Sequence, residues 1–201
     1  HNPFAPESVP HYAVLIELTR STAEPEAGRR LAVHLEDFLE RSLEAGAIVN
    51  AVTDHPELLW RIRHSVSEAL RREGKVIGLD ISVRRGDLEP FRAEARAMVA
   101  EAFPWLLVCD FGHCGDGGDH FNLVWPHKDA PPYDPSVESD VRSMLYGLLV
   151  RRYGGSFSAE HGIGPSNQRH RMTLLPQSQL DLEERIAGVL TRGGRLGRAF
   201  G

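Results

Sequence analysis

The stretch Phe111-Gly-His-Cys-Gly-Asp-Gly-Gly-Asp-His-Phe121 constrains this chain more than any other. It places His113 and His120 at the two ends of a loop built from Gly115, Gly117, Gly118 and the aspartates Asp116 and Asp119. The flanks, Trp105-Leu-Leu-Val-Cys109 and Phe121-Asn-Leu-Val-Trp125, read as short buried strands, so the segment reads as a hairpin. On one helix a seven-residue separation spans about two turns, roughly 10 Å. That is too far for one metal ion binding imidazoles at about 2.0–2.1 Å. Across a hairpin ladder, facing residues lie only about 5 Å apart, and the glycines permit a tight return with positive φ. The two imidazoles are therefore able to share an ion. The simpler alternative stays open: the histidines cap strand ends and the glycines serve the turn.

The 201 residues suffice for one large domain or two small ones. A hydrophobic share of 41% and a charged share of 25% fit a globular protein with a true core. With a net charge of -5 and no basic aromatic stripe, nucleic acid is not an expected partner. Two cysteines, Cys109 and Cys114, make neither a disulfide framework nor a four-cysteine zinc pattern, which suits a reducing, cytoplasmic setting. No apolar run approaches the ~18 residues of a membrane span, and no signal peptide is visible. The chain begins His1-Asn2-Pro3 without methionine, so a piece of a longer polypeptide is expected.

Residues 1–10 are expected to be a flexible, proline-containing N-terminal stretch. His11–Leu18 reads as a central strand, and Glu24-Pro25 opens a helix with Leu31, Leu35, Phe38, Leu39 and Leu43 at helical period, stopped by Gly46. A short strand follows at Ala47–Val49. His55-Pro56 begins a second helix carrying Leu59, Ile62, Val66 and Leu70, with Gly74 as its stop. Lys75–Val83 is a third strand. Asp87 caps a third helix with Leu88, Phe91, Ala95, Met98 and Val99 inward. After the hairpin, Asp134-Pro135 starts a helix bearing Val137, Val141, Leu145, Leu148 and Leu149, stopped by Gly154-Gly155. Ser178 caps a last helix with Leu182, Ile186 and Val189 inward, and residues 191–201 form a Gly/Arg-rich tail. The order predicts an α+β fold: a mainly antiparallel sheet with helices on one face, in ferredoxin-like split βαβ units. No Gly-x-Gly-x-x-Gly follows the first strand, so the chain carries no nucleotide site of its own.

Gly154-Gly-Ser-Phe-Ser-Ala-Glu-His-Gly-Ile-Gly164 is the second informative segment. Glu160 and His161 are neighbours, and in an extended segment their side chains point to opposite sides. One is placed to face a metal while the other faces a substrate. Two imidazoles and a carboxylate with open positions suit a catalytic divalent ion, with the remaining histidine as general base. Alternatively, Glu160 caps backbone amides and His161 is a surface residue.

The two glycine-framed segments resemble the signature of FAD-linked oxidases of the vanillyl-alcohol-oxidase type, in the D-2-hydroxyglutarate, D-lactate and glycolate dehydrogenase branch. That branch carries His-x-Gly-Asp-Gly-Asn-Leu-His, matched by His113–His120, and Gly-Gly-Ser-x-Ser-x-Glu-His-Gly-x-Gly, matched by Gly154–Gly164. Leu59–Arg63 with Ser67–Leu70, and Asp80–Val83, extend the likeness. The resemblance implies that residues 11–190 are the C-terminal substrate or cap domain, and that FAD is bound mainly by a separate N-terminal domain of the same polypeptide that is absent from this chain. It further implies that His113, His120 and Glu160 hold a divalent metal, zinc or manganese. His161 would take the hydroxyl proton of a small D-2-hydroxy acid while hydride leaves for the flavin. Arg63 would pair with a substrate carboxylate, and Ser67, one turn on, would add a hydrogen bond. For Arg63 a solvated helix face is the competing reading.

The chain departs from that pattern at several places. Gly118 and Asp119 stand for Asn-Leu in the turn, and Arg84 follows Asp80–Val83 where proline is usual. Gly78 stands where hydroxyglutarate enzymes tend to carry a substrate-holding lysine, and the tail lacks a closing Asn-Pro-Gly-Lys. The implied activity is oxidation of a D-2-hydroxy acid to the 2-oxo acid, with a homodimer among the admissible assemblies. The competing functions are a metal-binding or ligand-sensing module of the same fold without redox activity, and a metal hydrolase in which His161 activates water.

Overall fold

The computed structural model describes residues 11–19, 21, 24–53, 55–113 and 115–190. The N-terminal ten residues, Cys114 and the 191–201 tail lie outside them. The chain divides into two compact units, His1–Ser67 and Glu68–Gly201.

The first unit holds helix α1 (Pro25–Glu44) and most of α2 (Pro56–Glu73), which crosses the division. Both helices begin at a proline, whose missing N–H costs nothing in the first turn. No residue of either helix is buried, and Phe38 is half exposed at 50%. The two strands expected here do not form among the described residues. Residues 11–19 are exposed and belong to no ladder among the described residues, and a strand exists only as part of a ladder. Ala47 and Ile48 are committed elsewhere: their amides bond back to the Ser42 carbonyl, with Gly46 turning the chain at φ +68°.

In the second unit, β1 (Gly74–Ser82), β2 (Leu107–Phe111) and β3 (Gly118–Pro126) form one antiparallel sheet in the order β1-β3-β2. The α+β expectation holds, with three strands. Alternation sorts their side chains: Ile77, Leu79 and Ile81 of β1 pair with Leu123, Phe121 and Asp119 of β3 and face the core. Helices α3 (Leu88–Ala102) and α4 (Pro135–Tyr153) close that core with Phe91, Ala95 and Val99, and with Val141, Leu145 and Leu149. Asp134 caps α4 by accepting the Ser136 amide at 2.8 Å, and left-handed Gly154 ends it, as expected. Asp87 sits at the N-cap position of α3, but its side chain makes no capping bond and pairs with Arg84 instead.

Two short helices complete the unit, α5 (Gln168–Leu174) and α6 (Gln177–Leu190). The expected inward face of α6 is corrected: Leu182, Ile186 and Val189 are 50–66% exposed, and only Leu180 is buried. The core offered by the sheet is already closed by α3 and α4. Helix α5 was not expected, because seven residues are too few to show a period. It buries His170 with its ring edge-on to Tyr146, centroids 5.1 Å apart.

Burial, then the nearby cations Arg142 and Arg169, hold the His170 imidazole below its ordinary value. Protonation therefore favours the unfolded chain. This contribution is fully present above about pH 6.5 and is lost as pH falls through the lower folded value. Chemical denaturation at stepped pH is expected to show a loss of stability below pH 6.5 that is smaller in His170→Gln.

Candidate metal centre

The face of the sheet opposite the core carries Gly78, Asp80 and Ser82 from β1 and His120 and Asn122 from β3, with Asp80 and His120 directly paired. The outer edge of β1 would otherwise leave backbone groups without partners. The glycine-framed loop supplies them. Ser156 exchanges two backbone hydrogen bonds of 2.8 Å with Ser82, and the Ala159 amide donates to the Asp80 carbonyl at 3.4 Å. Further along the same edge, Arg142 Nη1 donates to the Gly78 carbonyl at 2.8 Å. Gly155 is required where the loop leaves α4: a Cβ there would lie 2.6 Å from the Ser82 carbonyl oxygen.

Threaded along this edge, the loop brings Glu160 and His161 over Asp80. Both backbone amides donate to Asp80 Oδ2, at 2.9 and 2.8 Å. The other side of the arrangement is formed by the imidazoles. His120 Nδ1 lies 3.3 Å from Asp80 Oδ1, and its Nε2 lies 3.3 Å from Glu160 Oε1. His161 repeats the pattern at longer range, with Nδ1 3.6 Å from Asp80 and Nε2 3.5 Å from Glu160. The two rings stack with centroids 5.4 Å apart. One ligand-capable atom from each of Asp80, His120, Glu160 and His161 therefore lies within 4.8 Å of the others.

The cluster borders a cavity of about 230 Å³ lined also by His113 and Asp116. The carboxylates of Asp80, Asp116 and Glu160 and two imidazoles line it, and among the described residues no lysine or arginine does. That donor set fits a divalent cation bound through nitrogen and oxygen. A carboxylate beneath Nδ1 favours the tautomer with the proton on Nδ1, which leaves Nε2 a free lone pair.

His120, Glu160 and His161 are thus brought together. His113 lines the same cavity but is not one of the four converging groups. Arg63 and Ser67 lie four residues apart on α2, in the first unit. Asp80 was missed as a member. An aspartate in mid-strand, on the face opposite Ile77, Leu79 and Ile81, was the available signal, because aspartate is depleted in strands. Asp119 is buried on the other face. Burial, then Asp110, push its carboxyl up to about 7, against the pull of Arg92 and Arg96.

By sequence, the chain belongs to the family described as FAD linked oxidases, C-terminal domain, whose model matches residues 2–186. Among individual proteins, it is 31% identical over 188 residues to a D-2-hydroxyglutarate dehydrogenase of Xanthomonas citri pv. viticola, covering 94% of this chain and 39% of that protein. A probable mitochondrial D-2-hydroxyglutarate dehydrogenase of Oryza sativa subsp. indica is 32% identical over 168 residues, covering 82% of this chain and 27% of that protein. A putative mitochondrial D-lactate dehydrogenase of Schizosaccharomyces pombe is 28% identical over 162 residues, covering 76% of this chain and 30% of that protein. The chain thus spans well under half the length of these curated relatives.

Replacing Asp80 tests the scaffold of the site. Asp80→Ala is expected to lower unfolding free energy by about 1.5–3 kcal/mol, the range for hydrogen bonds to a charged group. Hydrogen exchange should accelerate at the Glu160 and His161 amides while the β3 amides keep their protection. Unchanged exchange at 160 and 161 would show that the loop is held without Asp80.

Proposed function

We propose that this chain is the substrate- and metal-binding domain of an FAD-dependent dehydrogenase that oxidises a D-2-hydroxy acid to the 2-oxo acid. The observation that carries the reading is the convergence of Nε2 of His120, Nε2 of His161 and Oε1 of Glu160 over Asp80. Family membership and the named activities of the relatives support it.

His120 and Glu160 supply a nitrogen and an oxygen to a divalent cation, zinc or manganese, and His113 on the same cavity is the third ligand. Asp80 orients His120 from behind through Nδ1, as carboxylates do behind ligating histidines. When bound, the metal lowers the pKa of a hydroxyl oxygen, and the flavin, bound mainly by another domain of the polypeptide, accepts hydride. His161 is 65% exposed on its side chain, with Nε2 3.5 Å from Glu160, so it is reachable by a substrate held beside Glu160. Its free ring nitrogen takes the hydroxyl proton as the C–H bond of the same carbon breaks. The acidic lining has a second effect: without a cation it would repel a carboxylate substrate, so metal and substrate bind in that order.

The test uses the full-length polypeptide, freed of oxygen and mixed with D- and L-2-hydroxy acids. D-isomers are expected to bleach the flavin and L-isomers are not. His161→Asn should slow bleaching by about 10²–10⁴, the usual weight of a general base, while metal content by elemental analysis stays within error of the wild type. A wild-type protein whose flavin no D-2-hydroxy acid bleaches overturns this reading and favours a ligand-sensing role.

A further inference from the structure

On the core face of the sheet, beneath the hairpin, two carboxylates stand where apolar side chains would normally pack. Asp119 is in register with Ile81, on the same face as Phe121 and Leu123, and its side chain is 4% exposed. Asp110 on β2 is 1% exposed. Asp110 precedes His113 by three residues and Asp119 immediately precedes His120, so the pair sits at the roots of both arms of the hairpin.

One side chain from α3 reaches both. Arg92 Nε lies 2.5 Å from Asp110 Oδ2 and 3.8 Å from Asp119 Oδ2. Arg96, one turn further along α3, hydrogen-bonds the other oxygen of Asp110. Asp119 Oδ2 accepts no hydrogen bond among the described residues, and Arg92 is the cation that stands against it, with Arg96 adding to its pull. The arms have no slack at this point. A Cβ on Gly112 would come within 2.3 Å of the Gly118 carbonyl oxygen and 2.7 Å of the Asp119 Cα.

We propose that Arg92 is a positioning residue for the metal centre, acting through Asp110 and Asp119 to hold the two histidine-bearing arms at their working separation. This rests on the metal reading above. Without Arg92, the one guanidinium that reaches both Asp110 and Asp119 is gone, and the buried Asp110 loses one of its two charge partners, which is strongly unfavourable. With that tie gone, the arms are free to part and Asp119 to swing toward water. Either movement carries His120 with it and takes Nε2 off Glu160. Removing the second carboxylate as well removes the need for the brace, because paired replacement by apolar residues is often neutral.

The experiment measures zinc affinity of the full-length polypeptide by competition with a chromophoric chelator, alongside denaturant unfolding. Arg92→Leu is expected to weaken zinc binding at least tenfold, and Arg92→Leu/Asp119→Leu to return it to within threefold of wild type. Loss of packing alone would lower stability in both variants and leave zinc affinity unmoved. If Arg92→Leu fails to fold, a folded, zinc-binding double variant supports the same conclusion. A folded Arg92→Leu that binds zinc like the wild type, or a double variant no better than the single one, overturns the proposal. A wild-type protein that binds no zinc overturns the metal reading, and this inference with it.

Discussion

The candidate site depends on one carboxylate used in two directions. Asp80 Oδ2 accepts the amides of Glu160 and His161, which fixes a loop that has no regular structure of its own. Its other oxygen faces Nδ1 of His120, its cross-strand partner on β3. Sheet register therefore sets the distance between imidazole and loop. A single-residue slip of β1 against β3 would turn Asp80 into the core and dissolve the arrangement. The stiffness of the site is borrowed from the apolar face of the sheet, where Ile77, Leu79, Phe121 and Leu123 exclude water.

What could be read from the sequence was what local chemistry decides. Pro25, Pro56 and the Asp134-Pro135 pair announce helix starts, and Gly46 and Gly154 announce their ends, because φ restriction and left-handed turns act on single residues. The hairpin was legible for the same reason. His11–Leu18 and Ala47–Val49 were not, because an apolar β-prone run becomes a strand only when an edge is offered to it. The inward face assigned to α6 failed on a similar point: helical period says which residues share a face, not whether that face meets a partner.

The site divides along the same line. Glu160 and His161 stood out because glycines frame them and nothing about packing calls for them. Asp80 did not, because its role comes from the loop arriving eighty residues later in the chain. Asp119 stood out as an unusual turn residue, but its partner Arg92 lies on a helix whose sequence reads as an ordinary amphipathic stripe. Long-range charge compensation leaves no periodic trace.

The residues of the site come from three places far apart along the chain: β1, the hairpin that ends in β3, and the loop after α4. Unlike ligands spaced a few residues apart, these meet only after the sheet has registered and the loop has closed on its edge, and that closure costs chain entropy. An unfolded chain thus presents scattered weak ligands. A cation that prefers the assembled set pulls the folding equilibrium toward the native state in proportion to the logarithm of its concentration. Under the proposed metal reading, cation supply and the stability of the fold are coupled quantities, and depletion of the ion would be felt in the 156–161 loop, which closes on the edge of β1.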